Sequence, residues 1–171
     1  MNLNIFIFLI VLVFYLLTAN QPNQINSKKN LIILACTLLA LQSGLRHVSV
    51  GPDTYGYYGS FVSTIGMNWI EVFAGFFVDA DEFRDPGYRV VEKLFSFIIP
   101  SWQFYILTLA VLFYYSMGRL WYRYISTKEG VLLALLLVLT LFNIIAMSGI
   151  RQQITMTLSM FLIPLDKELK T

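Results

Sequence analysis

A chain of 171 residues that is 57% hydrophobic, 16% aromatic and only 13% charged is too apolar for an ordinary soluble domain, and its mean hydropathy of +0.68 points to an integral membrane protein. A formal charge of +2, dispersed along the chain, excludes a nucleic-acid-binding surface. The single Cys36 excludes an intramolecular disulfide, a CxxC motif and a Cys/His metal pattern.

A membrane-spanning helix takes roughly 20 mostly apolar residues. Residues 3–19, 31–44, 102–117 and 131–147 meet or approach that length, and a shorter run, 150–163, stops at Pro164. The expected fold is therefore all-α: one domain, a polytopic transmembrane helical bundle of four to five spans. The first run is read as a retained span, because no base precedes it and no small-residue cleavage site follows. Residues 20–30 form a polar loop with Lys28, Lys29 and no acid, which the positive-inside bias places in the cytoplasm. The amino terminus is then extracytoplasmic, residues 46–101 form a large extracytoplasmic loop, and the bases Arg119, Arg123 and Lys128 return inside.

Within the large loop, Asp53 is placed to N-cap a helix with Thr54, Tyr58, Phe61 and Ile65 on one face. Asp85 is placed to cap another, with Pro86 at its first position and Tyr88, Val91, Phe95 and Ile98 on one face. Between them Trp69, Val72, Phe73, Phe76 and Phe77 draw an aromatic stripe suited to a helix lying among lipid headgroups. The run from Val131 to Phe142 is uniformly apolar and reads as lipid-facing. The last run differs: Ser148, Arg151, Gln152, Thr155 and Ser159 recur at helical spacing, a polar stripe expected to face the bundle interior or a wet cavity.

Several side chains carry two readings. Arg46 and Arg151, at the outer ends of their spans, suit a bidentate clamp on phosphate or pyrophosphate; Arg46 equally suits a snorkelling cation at a helix C-terminus. Asp53 and Asp85 suit a base and a second acid for activating a hydroxyl, yet a capping carboxylate is held charged and is a weaker base. Tyr55, Tyr57 and Tyr58 either stack sugar rings or anchor at the interface. His47, the only histidine, reads as incidental, and Asp79, Asp81, Glu82 and Asp85 match no calcium-loop spacing. No HExxH, GxxxxGK[ST] or GxSxG motif occurs, and no metal or other cofactor is called for.

Taken together, GLR at 44–46, VGPDTYGYY at 50–58, DPGYRVVEKL at 85–94 and IRQQI at 150–154 resemble, in order and spacing, the EpsG family of bacterial polysaccharide membrane proteins, relatives of the Wzy-type polymerases. The resemblance implies a multi-pass protein of the bacterial cytoplasmic membrane acting in exopolysaccharide, capsule or O-antigen assembly. Its substrate would be an oligosaccharide repeat on undecaprenyl pyrophosphate, polymerised at the outer face, with the bilayer and other polysaccharide-assembly proteins as further partners. It carries over Gly44, Leu45, Arg46, Gly51, Asp53, Thr54, Tyr58, Asp85, Pro86, Gly87, Tyr88, Arg151 and Gln152. Asp53 and Asp85 take the catalytic role; Arg46, Arg151, Gln152, Thr54, Tyr58 and Tyr88 bind substrate and pyrophosphate. The family architecture it implies is longer, and this chain is read as its amino-terminal part. A transporter of lipid-linked glycan, a non-catalytic scaffold and an inactive truncated member are the alternatives.

Overall fold

The computed structural model describes residues 3–19, 24–51, 53–77, 85–142 and 149–163. Among them the chain is helical throughout, without strands: α1 (Leu3–Leu17), α2 (Gln24–Gly44), α3 (Thr54–Gly66), α4 (Trp69–Ala74), α5 (Pro86–Ile98), α6 (Trp102–Tyr124), α7 (Lys128–Leu137) and α8 (Ile150–Leu162). A wider π-helical turn, Val138–Phe142, prolongs α7.

The α2/α6 pair is the spine of the fold and its most extensive contact. The helices run antiparallel: Gly44 abuts Leu107 and Ala110, Gly118 sits against Cys36, and Lys28 Nζ donates to the carbonyls of Tyr122 and Ile125. Small residues at Ala35, Cys36, Ala40, Ala110 and Gly118 let the backbones approach, the usual route to tight packing between apolar helices. Leu31, Leu39, Phe113, Tyr114, Met117 and Trp121 fill the seam, and α1 closes on it through Ile7 and Val11.

Polar ties fix the register of the outer helices. At one end of the bundle Gln42 Nε2 donates to Asn4 Oδ1 at 2.7 Å and Asn4 Nδ2 donates to the Leu139 carbonyl. At the other, buried Lys128 donates to the Thr18 carbonyl at 3.0 Å and to Ser27 Oγ. That second end gathers Lys28, Lys29, Arg119, Arg123 and Lys128. The first carries Arg46, Asp53, Asp85, Arg89 and Arg151.

Among the described residues one helix, Trp102–Tyr124, is long and apolar enough to cross a membrane, and Leu3–Leu17 is a shorter apolar helix. Several sequence expectations are corrected. The polar loop is shorter than residues 20–30, because α2 starts at Gln24: Ser27, 1% exposed, gains a packed helical position against Thr18 and Lys128. The run after Val131 is not wholly outward-facing, since Val131, Leu135 and Leu139 are buried against α1 and α2. Of the two placements expected for the polar stripe of α8, the bundle interior is not taken: Arg151, Gln152, Thr155 and Ser159 are exposed while Ile150, Gln153 and Thr157 turn toward α6, and Arg151 reaches a wet cavity. Ser148, residues 143–147 of the fourth run, and Asp79, Asp81 and Glu82 of the acidic run lie outside the described residues.

The segment between α2 and α6 folds back as a cap on the bundle end. Gly51, at φ 96°, makes a turn that a side-chain-bearing residue would adopt only under strain. It lets Thr54 Oγ1 reach back to the Val50 carbonyl at 2.6 Å and start α3. An unforeseen capping box opens α4: Asn68 Oδ1 accepts from Glu71 N and Asn68 N donates to Glu71 Oε2. The expected aromatic stripe there is mostly exposed, with only Val72 buried and Phe77 90% exposed. Phe61 of α3, Tyr88, Val91 and Phe95 of α5, Trp102, Tyr105, Ile106 and Leu109 of α6 and Ile150 of α8 form a second core under the cap. Phe61 stacks on Tyr105 with ring centroids 5.0 Å apart, and Phe95 meets the same ring edge-on. The buried face of α3 is Thr54, Phe61 and Thr64; Tyr58 and Ile65 are displaced to its edge, and Ile98 at the end of α5 is exposed.

Candidate functional site

The heads of α3, α5 and α8 converge on one polar cavity of about 410 Å³, lined by Asp53, Gly56, Tyr57, Ser60, Asp85, Tyr88, Arg89 and Arg151. Each helix delivers its residue for a local reason. The Gly51 turn sets Asp53 immediately before α3, Pro86 fixes the first turn of α5 directly after Asp85, and Arg151 lies in the first turn of α8.

Arg151 organises the cavity. Its guanidinium pairs with Asp85 Oδ2, its Nε donates to the Tyr57 hydroxyl at 3.2 Å, and it lies over the Tyr57 ring at 5.4 Å from the centroid. Tyr57 meets Tyr88 edge-on at 5.6 Å, so the aromatic wall is braced from α5. Both members of the ion pair are nearly half exposed, at 47% and 44%, and can exchange partners with a solute.

Neither aspartate caps its helix. Asp53 and Asp85 occupy the positions before α3 and α5, but no side-chain capping hydrogen bond forms at either. The expectation of N-caps is corrected: Asp85 turns to Arg151, and Asp53 lines the cavity. The objection that capping would blunt their chemistry falls with it.

The remaining predicted residues fall elsewhere. Arg46 is 6% exposed and does not line the cavity; its Nη1 donates to the Ser43 carbonyl and hydroxyl, while Nε and Nη2 meet no acceptor. Thr54 is fully buried in the turn. Tyr58 packs edge-on against Trp102 at 5.6 Å, and Gln152 is exposed beside Arg151 without lining the cavity. His47 is tied locally, its Nδ1 accepting from Ser49 N. Among the described residues no group of three acids, histidines or cysteines is placed to hold a metal.

Sequence reasoning missed Ser60, Arg89 and Glu92, and left Tyr57 between sugar stacking and interface anchoring. Glu92 lies beneath the cavity, fully buried, and accepts from Ser60 Oγ at 2.9 Å and Thr64 Oγ1 at 3.1 Å through Oε2. Burial pushes its carboxyl up from the ordinary range; the hydrogen bonds from Ser60 and Thr64, the nearby Tyr88 hydroxyl and the Arg89 charge pull the other way without reversing the shift. The available signal was spacing: Tyr88 and Glu92 stand four apart on α5, and Tyr57, Ser60 and Thr64 share a face of α3.

No curated protein and no solved structure matches the chain. A comparison with protein families matches the EpsG family over residues 29–168, which takes in α2 from Lys29 onward, α3 through α8 and every residue of the cavity. Spanning most of the sequence, that match establishes that the chain belongs to the EpsG family, and with it that this is a membrane protein related to polysaccharide biosynthesis.

Proposed function

We propose that this chain is a multi-pass protein of the bacterial cytoplasmic membrane that polymerises oligosaccharide repeats carried on undecaprenyl pyrophosphate, with the cavity at the head of α3, α5 and α8 as the reacting end. The observation that carries the reading is the exposed Arg151–Asp85 pair braced on Tyr57 and facing Asp53. A diphosphate is a better bidentate partner for a guanidinium than an exposed carboxylate, so an arriving substrate takes Arg151, joined by Arg89, and releases Asp85. The freed Asp85, or Asp53 across the cavity, accepts the proton of the acceptor hydroxyl. The new bond forms between that oxygen and the anomeric carbon, the anomeric carbon–phosphate oxygen bond breaks, and the lipid diphosphate departs with its charge held by arginine. Arg46, with an unused Nε/Nη2 edge inside the bundle, supplies a second guanidinium for the leaving group once the lipid is bound. Other polysaccharide-assembly proteins are proposed as partners.

The decisive experiment is a lipid-linked glycan ladder in a polymerase-deleted host. Expression of the chain is expected to restore lengths beyond a single repeat. Single repeats alone, with the protein present in the membrane, would defeat polymerisation and favour transport or scaffolding.

The proposed orientation puts the lysine-rich end in the cytoplasm and the cavity outside. Ser49 and Ser126 are exposed and lie at opposite ends of the antiparallel pair, while Cys36 is buried. Ser49→Cys is expected to react with a membrane-impermeant maleimide on intact cells and Ser126→Cys only after permeabilisation. Reaction of both from the same side would overturn the topology.

A further inference from the structure

Glu92 is the one fully buried carboxyl among the described residues, and it sits between the two helices whose first turns wall the cavity. Oε2 takes both hydroxyls from α3, Ser60 and Thr64, although Ser60 also lines the cavity. Oε1 is buried without a hydrogen bond, and so are the hydroxyls of Tyr88 and Tyr105, which lie beside it without reaching hydrogen-bond geometry. The groups facing this carboxyl are Tyr88 and Arg89 from its own helix, Ser60 and Thr64 from α3, and Tyr105 from α6, with Tyr57 next to Tyr105. Lys93 is turned away to the end of α3, donating to the carbonyls of Thr64 and Ile65. Arg89 favours the charged form, but it also lines the cavity and donates to Met67 Sδ at 3.3 Å.

An ionised Glu92 would leave one anionic oxygen buried without a donor, which is costly. A protonated one supplies a hydroxyl of its own to the tyrosine cluster while Oε2 keeps its two bonds. We propose that Glu92 acts as a neutral carboxyl clasping α3 to α5, a positioning residue that sets the spacing between the Asp53 and Asp85 walls of the cavity. It touches no substrate and takes no proton from one. Its effect runs through Ser60, which it bonds, and Tyr88, which it adjoins, both of which line the cavity.

The pH consequence has a definite sign. The folded-state pKa of Glu92 is raised by burial above its unfolded value, so its stabilising contribution is complete below the ordinary glutamate range and is lost as pH rises through the folded value. Thermal unfolding of the purified chain in detergent, from pH 5 to 9, reads this without any ligand. The wild-type melting temperature is expected to fall by several degrees toward alkaline pH, and Glu92→Gln, permanently neutral, to lose that fall. Only a second arm, calorimetric binding of inorganic pyrophosphate, rests on the function proposed above: Glu92→Gln should keep the wild-type affinity, whereas Glu92→Ala should weaken it about tenfold, the order expected for losing a buried hydrogen-bonded link. An alkaline fall that persists unchanged in Glu92→Gln, or a Gln variant that binds as poorly as the Ala variant, overturns the proposal. A wild type that binds no pyrophosphate defeats the functional reading instead, and the pH profile alone then decides the role of Glu92.

Discussion

Replacing Arg151 by alanine is expected to collapse the glycan ladder to single repeats while leaving the fold standing. The two effects separate because the Arg151–Asp85 pair is exposed to water on both sides. Exposed pairs contribute on the order of 0–1 kcal/mol to stability, so the melting temperature should scarcely move. Stabilising a departing diphosphate is another matter: removing one preorganised donor of this kind typically costs about 10²–10³ in rate. Asp85→Asn tests the other half, since it frees Arg151 to bind the diphosphate but removes a proton acceptor; the ladder should shorten, with Asp53 left as the one carboxylate among the described residues that line the cavity. The exchange of the two charges, Asp85→Arg with Arg151→Asp, is the sharpest control. It restores an ion pair but puts the guanidinium on α5, away from the Tyr57 ring and hydroxyl that orient it in the wild type. Full activity in the exchanged protein would mean that the pair merely joins α5 to α8, and the arginine would lose its assigned chemistry.

The largest stability effect is expected at Gly44. A methyl group placed there would stand 2.9 Å from the Leu107 Cα and 2.7 Å from its Cδ1. A side chain can rotate away, but backbone cannot, so any residue larger than glycine forces α2 and α6 apart at this close approach. Overpacking of this kind costs about 1–3 kcal/mol, and Gly44→Leu should reach or exceed the upper figure. The strain also reaches the hydrogen bond that Gln103 Nε2 donates to the Gly44 carbonyl, the link between the end of α2 and the start of α6. Gly59→Ala is the matched control. Nothing lies within 4 Å of a methyl group at that position in α3, so the substitution should stabilise, by about 0.5–1 kcal/mol, through helix propensity alone. Thermal unfolding in one detergent compares the two. Equal shifts of the same sign would deny the close α2/α6 contact.

Some of this was written in the chain itself. Long apolar runs between polar joints specify helices wherever a bilayer or a packed bundle must satisfy every backbone group internally, so α1, α2, α6, α7 and α8 were all legible, as were the heads of α3 and α5, marked by Gly51, Asp53, Asp85 and Pro86. The family boxes identified the aspartates and arginines. What the sequence could not settle was which face of a helix turns inward, because in an apolar chain a polar stripe and an apolar stripe compete for the same interior. Arg151 reaches the polar cavity and Gln152 the surface because Ile150, Gln153 and Thr157 meet α6, and that depends on the angle at which α8 lands.

The aspartates show the same division. Their position before a helix is local and was read correctly; whether the carboxylate bonds its own backbone depends on what else is in reach, and for Asp85 that is an arginine 66 positions later in the sequence. In the sequence Glu92 is one of seven acids between residues 46 and 101. Burial, two hydroxyl donors from another helix and a ring of tyrosines make it a different group, and only packing of α3 on α5 and α6 brings them together. The sequence by itself determined the helices, their order and the family; the tertiary structure decided which charges meet, because charge pairing and desolvation depend on distances across helices that periodicity along one helix does not encode.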